Sequence, residues 1–147
     1  QKNLVDKLPL KISKVKIKTR YFTYLYITIN QNKELFTIIK KRNESDIWKG
    51  LYEFPLIESP KEIATEDLLK KEQIKQFVNP KTAILQSVSK SYVHKLTHQK
   101  IVATFFKILS PVPNSELPPD YTIIASSSLD EFPVSRLMDK YLNDINI

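Results

Sequence analysis

The sequence predicts a mixed α/β (α+β) domain, with a mainly antiparallel sheet and a few packed helices. Runs of aromatic and β-branched residues recur between turn-forming residues, as strands do. Val134, Leu137, Met138, Tyr141 and Leu142 fall at i, i+3, i+4, i+7 and i+8, the spacing of one helix face. A chain of 147 residues, 41% of them hydrophobic, can bury one self-sufficient core.

Residues 1–18 read as a basic connector or edge segment. Lysines crowd it, Pro9 interrupts it, and Val15 and Ile17 alternate with Lys14, Lys16 and Lys18 as on a strand with one wet face. Residues 20–29 carry apolar side chains at both parities, which predicts a central strand buried on two sides. Gln31, Asn32 and Lys33 make a polar turn, and residues 34–42 return as the second strand of a hairpin. Thr65 is a candidate N-cap, with Glu66 and Asp67 in the first turn, for a helix carrying Leu68, Leu69, Ile74, Phe77 and Val78 and ending before Asn79-Pro80. One long strand is expected over 83–93 and another over 99–109, joined by a short turn. Pro111, Pro113, Pro118 and Pro119 make the next stretch irregular, and residues 121–125 are a short buried strand candidate.

Twenty-three Lys+Arg against sixteen Asp+Glu give a formal charge of +7, which favours a polyanionic partner. The absence of cysteine excludes disulfides, a thiolate zinc site and an iron–sulfur cluster held by this chain, and it suits a reducing compartment. No run of about 18 apolar residues is present, and no signal-peptide pattern opens the chain. Because the first residue is Gln1, the expectation is a processed chain or an excised piece of something longer.

The one glycine and the one tryptophan of the chain sit together in the segment IWKGLYEFP, residues 47–55. Gly50 marks a tight turn or a close backbone approach, and Trp48, Leu51, Tyr52 and Phe54 can anchor a loop onto a core. Following a strand that ends in basic residues, this segment resembles the Nudix-like C-terminal domain of the MutY-type adenine DNA glycosylases, which carries a segment of the form lwxGlWEFP. The resemblance runs from about Arg20 to Leu142 and includes a proline-led final helix, FPVSRLMDKYL. It implies a Nudix-like α/β/α sandwich, with residues 19–147 as the recognition domain.

Both histidines lie in His94-Lys95-Leu96-Thr97-His98, at the expected tip between two long strands. With strand flanks, no cysteine and no carboxylate in the loop, a metal site is not expected there. By composition this is a polar hairpin tip. In the MutY-type domain, however, the corresponding loop reads His-x-Phe-Ser-His and contacts 8-oxoguanine. On this chain His94 matches the first histidine, Leu96 the Phe, Thr97 the Ser and His98 the last histidine. Leu96 cannot stack as a ring does, whereas Thr97 keeps the hydroxyl.

Guanine presents N7 as an acceptor, whereas 8-oxoguanine presents N7–H as a donor and a carbonyl at C8. A hydroxyl can accept from the first or donate to the second, and the Thr97 backbone N–H can serve the C8 oxygen. One such contact discriminates by roughly 1–3 kcal/mol. By the same resemblance His98, Lys95 and Lys100 would hold flanking phosphates, which position a protein without reading sequence.

A catalytic Nudix box needs a glycine followed by Glu…Arg-Glu-x-x-Glu-Glu to gather a divalent metal. Here Pro55 is followed by Leu56, Ile57 and Glu58, and the expected helix carries Lys70, Lys71 and Gln76, with Glu66 and Glu72 scattered. Metal-dependent pyrophosphate hydrolysis is therefore not expected. Nor does any segment resemble the family's N-terminal helical domain, which holds the catalytic carboxylates and the iron–sulfur cluster. Ser126, Ser127 and Ser128 lack a nucleophile elbow and read as a turn or cap.

The expectation is a non-catalytic domain that recognises 8-oxoguanine opposite adenine within an adenine glycosylase of base excision repair. It carries no cofactor of its own, acts as a monomer in the cytoplasm on double-stranded DNA, and touches the catalytic domain of the same polypeptide and no membrane. The competing readings are a Nudix pyrophosphohydrolase and a protein-interaction module.

Overall fold

The computed structural model describes residues 16–111 and 116–146. Most of the expected connector, Lys14 and Val15 included, lies outside them; Lys16 and Ile17 are exposed. Strand β1 (Lys18–Gln31) runs through the middle of an eight-stranded sheet and pairs in parallel with β7 (Gln99–Ser110), from Lys18 opposite Gln99 to Ile29 opposite Ser110. Among the described residues every other pairing between strands is antiparallel, and an isolated parallel bridge joins Tyr52 to Val134.

The second edge of β1 is shared. Its late residues pair with β2 (Glu34–Lys41), and Tyr21 to Tyr24 pair with β4 (Leu56–Ser59). The β1–β2 connection is a two-residue turn in which Asn32 and Lys33 both have positive φ, the mirror-image turn that matches strand twist. On its far side β2 pairs with β3 (Tyr52–Glu53) and β8 (Tyr121–Ala125).

The expected strand over 83–93 is two strands, β5 (Ile84–Val88) and β6 (Tyr92–Lys95), both on the far edge of β7. The register slips between Leu85 and Ser87, and Ser89 takes a side-chain role in the ladder. Its Oγ accepts from Phe105 N at 2.9 Å, while its own N–H donates to Phe105 O at 2.9 Å. Strand β8 has the expected limits but lies at an edge, with Thr122 and Ile123 exposed, rather than buried.

The helix expected to end before Asn79 is also broken. Helix α1 is one turn, Thr65–Leu68, followed by a 3-10 turn, Glu72–Gln76. Leu68 and Ile74 are both fully buried. Six positions apart on an α-helix they would point about 120° from one another, so a break between them lets both face the sheet. Thr65 is the first helical residue; Ala64 takes the N-cap position and makes no side-chain cap bond.

Helix α2 (Arg136–Ile145) forms where the 3.6-residue spacing places it. Ser135 caps it, its hydroxyl accepting from Met138 N at 3.2 Å. Leu137, Met138 and Tyr141 are buried, and burial of a Leu or Met side chain stabilises by roughly 1.5–3 kcal/mol.

The result is an α/β/α sandwich with one core on each face of the sheet. On the α2 face Tyr24, Phe105 and Tyr141 stack, with centroids 5.1 and 4.2 Å apart. On the α1 face Leu25, Ile27, Ile38, Phe106 and Ile108 meet Leu68, Ile74 and Phe77.

Candidate nucleic-acid interface

The β6–β7 hairpin projects from the end of the sheet at which β1 and β7 begin. Lys95 pairs with Lys100, and Leu96 N donates to Gln99 O at 2.8 Å, which closes the tip. Leu96 is half-buried beneath the turn, and Thr97 and His98 are exposed. Among the described residues neither the hydroxyl nor the backbone N–H of Thr97 has a hydrogen-bond partner, and the N–H of His98 has none either. The tip therefore offers adjacent donors and one hydroxyl to solvent.

The predicted residues are divided between two faces. Paired strand residues share a face and neighbours alternate. His94 pairs with Ile101, a member of the α2-side core, so its ring lies on that face. There it meets Trp48, with ring centroids 5.5 Å apart. Lys95 and Lys100 stand directly opposite one another on the other face. Like charges so placed repel, and a phosphate between them relieves the repulsion. Thr97 and His98 lie between the two faces at the turn.

Beside the hairpin lies the loop that joins β2 to β3. Sequence reading ended β2 at Arg42; the strand ends at Lys41, and Arg42 turns inward, 3% exposed. Its guanidinium donates to Ile47 O at 2.8 Å, to Asp46 at 3.1 and 3.3 Å, and to Glu53 at 3.2 and 3.5 Å. Tyr24 OH donates to Glu53 at 3.0 Å. Burial raises the Glu53 carboxyl above its ordinary range, although Arg42 and Tyr24 pull the other way.

Arg20 holds Glu58 by two hydrogen bonds of 2.8 Å and also meets Asp46 at 2.8 Å and Gln99 at 3.2 Å. The Arg20 hydrogen bonds set Glu58 below its usual range. Burial pushes Asp46 up, but hydrogen bonds from Arg20 and Ile47 N, with the Arg42 charge, carry it down. Both arginines near the hairpin are thus occupied by carboxylates. Among the described residues Lys49, Lys95 and Lys100 form no ion pair and remain for an outside anion.

Gly50 has φ +88°, and nothing lies within 4 Å of where a Cβ would stand, so it serves a turn and not a close approach. Its N–H donates to Arg42 O at 2.7 Å. Trp48, in the same turn, has φ 59°, a left-handed conformation that costs a side-chain-bearing residue about 1–2 kcal/mol. Sequence reading treated Trp48 as a core anchor. It does pack edge-on against buried Phe22, at 6.1 Å, but remains half-exposed and also meets His94. The signal was a lone tryptophan two residues before a lone glycine.

A divalent metal of the Nudix kind does not fit the residues present. Helix α1 is a single turn whose Glu66 and Asp67 are exposed, Glu58 is bound to Arg20 and Glu72 to Lys75. Among the described residues no three His, Cys, Asp or Glu side chains gather to hold a cation. A cavity of about 540 Å³ lies toward the other ends of β1 and β7, against Tyr26, Lys107, Ser126, Phe132 and Val134, and none of the predicted site residues lines it.

Two helical layers around a mixed sheet with a parallel central pair define a Nudix-type sandwich. The family model described as NUDIX domain matches residues 24–144, and the chain belongs to that family. Among solved structures, the C-terminal domain of mouse MUTYH, in complex with human PCNA, is similar at TM-score 0.67 and 17% identity, over 84% of this chain and 85% of that one. The MutT protein of Methanosarcina mazei Go1 is similar at TM-score 0.63 and 14% identity, over 90% and 96%. RenU, a Nudix hydrolase of M. smegmatis, is similar at 0.62 and 8%, over 85% and 84%. No curated protein matches the chain.

Proposed function

We propose that this Nudix domain is the lesion-reading part of an adenine DNA glycosylase, binding duplex DNA that carries 8-oxoguanine opposite adenine. The observation that carries the reading is the hairpin tip. Thr97 presents a hydroxyl and an N–H without partners among the described residues, with Lys95 and Lys100 beside them on one face. The hydroxyl and N–H match the new N7–H and C8 carbonyl of 8-oxoguanine, and the lysines suit the flanking phosphates. The similarity to the MUTYH domain supports this reading. In it the chain catalyses nothing itself, carries no cofactor, and works in the cytoplasm beside a separate catalytic domain that holds any iron–sulfur cluster.

The test compares binding to 8-oxoguanine:A and G:A duplexes across salt concentrations. Thr97→Ala is expected to reduce the preference for the lesion by about five- to tenfold. Lys95→Ala is expected to weaken both duplexes alike and to lower the salt slope by about 0.9. Equal wild-type affinity for the two duplexes defeats the proposal. Unchanged preference in Thr97→Ala moves the contact to the backbone N–H.

A second reading, a Nudix hydrolase, draws on the likeness to RenU and the Methanosarcina MutT protein. Magnesium-dependent release of pyrophosphate from nucleoside triphosphates by this chain would establish it. The carboxylates held by Arg20 and Lys75 argue that none will be seen.

A further inference from the structure

We propose that Trp48 is a specificity-positioning residue: its indole fixes the His94 ring and so the aim of the hairpin tip. The inference rests on the lesion-reading function. It starts from a conformation that bulky residues rarely adopt, φ 59° at Trp48, on a loop secured on both sides. Ahead of Trp48, Ile47 O accepts from Arg42 Nε at 2.8 Å and Ile47 N donates to Asp46 at 2.7 Å. Behind it, Leu51 N donates to Trp48 O at 3.1 Å and Gly50 N to Arg42 O at 2.7 Å. Strain held so firmly points to a task for the side chain.

Packing against the core is only part of what its side chain does. The Phe22 ring is already covered by the guanidinium groups of Arg20 at 5.1 Å and Arg42 at 5.6 Å and by Tyr24 at 6.0 Å. Trp48 packs there nearly perpendicular to the Phe22 ring and also lies against the His94 ring, tilted by 57°. Among the described residues the His94 side chain forms no hydrogen bond, and its ring lies against the indole. His94 is two residues before Leu96, whose N–H closes the tip that presents Thr97. A shift of the His94 ring is thereby passed to the tip through one turn of backbone.

The single tryptophan makes the contact directly observable in its emission. His94→Asn is expected to change the emission spectrum of Trp48, whereas His98→Asn is expected to leave it as in wild type. An emission spectrum unaffected by His94→Asn overturns the contact.

In duplex binding, Trp48→Leu is expected to reduce the preference for 8-oxoguanine:A over G:A by about tenfold. Affinity for G:A should stay within about twofold, and Trp48→Phe should restore most of the preference. A Trp48→Leu chain that keeps the wild-type preference overturns this inference alone. One that loses both duplexes equally makes Trp48 a general grip and also overturns it. A wild-type chain without preference removes the lesion-reading function, and the specificity role with it, whereas the emission change in His94→Asn still reports the Trp48–His94 contact.

Discussion

Gly50 and Arg42 sit eight positions apart in one loop and were unequally legible. A lone glycine signals its own purpose, because only a turn with positive φ makes its backbone freedom useful. Gly50→Ala meets no steric neighbour but must hold φ +88°, so the loss is conformational. It is expected to lower stability by about 1–2 kcal/mol, read as a fall in denaturant midpoint with an unchanged slope. Arg42 gave no comparable signal. A third basic residue at the end of a strand reads as solvated, and nothing local reveals that Asp46 and Glu53 converge on it from either side of a turn.

Among the elements, those that bury a regular pattern were readable and those that answer to a distant partner were not. Strands β1 and β7 and helix α2 follow their own periodicities. The break between α1 and its following 3-10 turn is set by where the sheet needs Leu68 and Ile74, and the gap between β5 and β6 by Ser89 bonding across to Phe105. The candidate site divides the same way. The hairpin was found through its histidines, while its neighbour, the loop from Arg42 to Leu51, comes from a remote stretch of chain. That loop depends on one buried cation. Arg42→Met leaves Glu53 buried without its ion partner and is expected to destabilise by about 3–5 kcal/mol. The Trp48 emission spectrum should shift to the red in the same variant.

For the whole molecule, the acid limb of stability depends on which carboxylates are held below their ordinary range. Glu58 is, through its hydrogen bonds from Arg20, and Asp46 is as well. Groups lowered in the folded state contribute stability that is present above their unfolded values, about 4, and lost as pH falls through the folded ones. Glu53 is raised by burial and acts oppositely, favouring the fold as it protonates. Glu58→Gln is therefore expected to cost something at pH 7, with the difference from wild type shrinking as pH falls below about 4. Because the Glu58 side chain is 40% exposed, the difference at pH 7 should stay below about 1 kcal/mol. Urea unfolding at several pH values checks the narrowing.

Lys18 N donates to His98 O at 3.1 Å, where the parallel strands β1 and β7 begin side by side. The polypeptide thus joins the sheet at the very corner that presents Thr97. Whatever is joined ahead of β1 is therefore held within about 3.5 Å of that corner for each intervening residue, and a change in the number of those residues alters its reach from Thr97 directly.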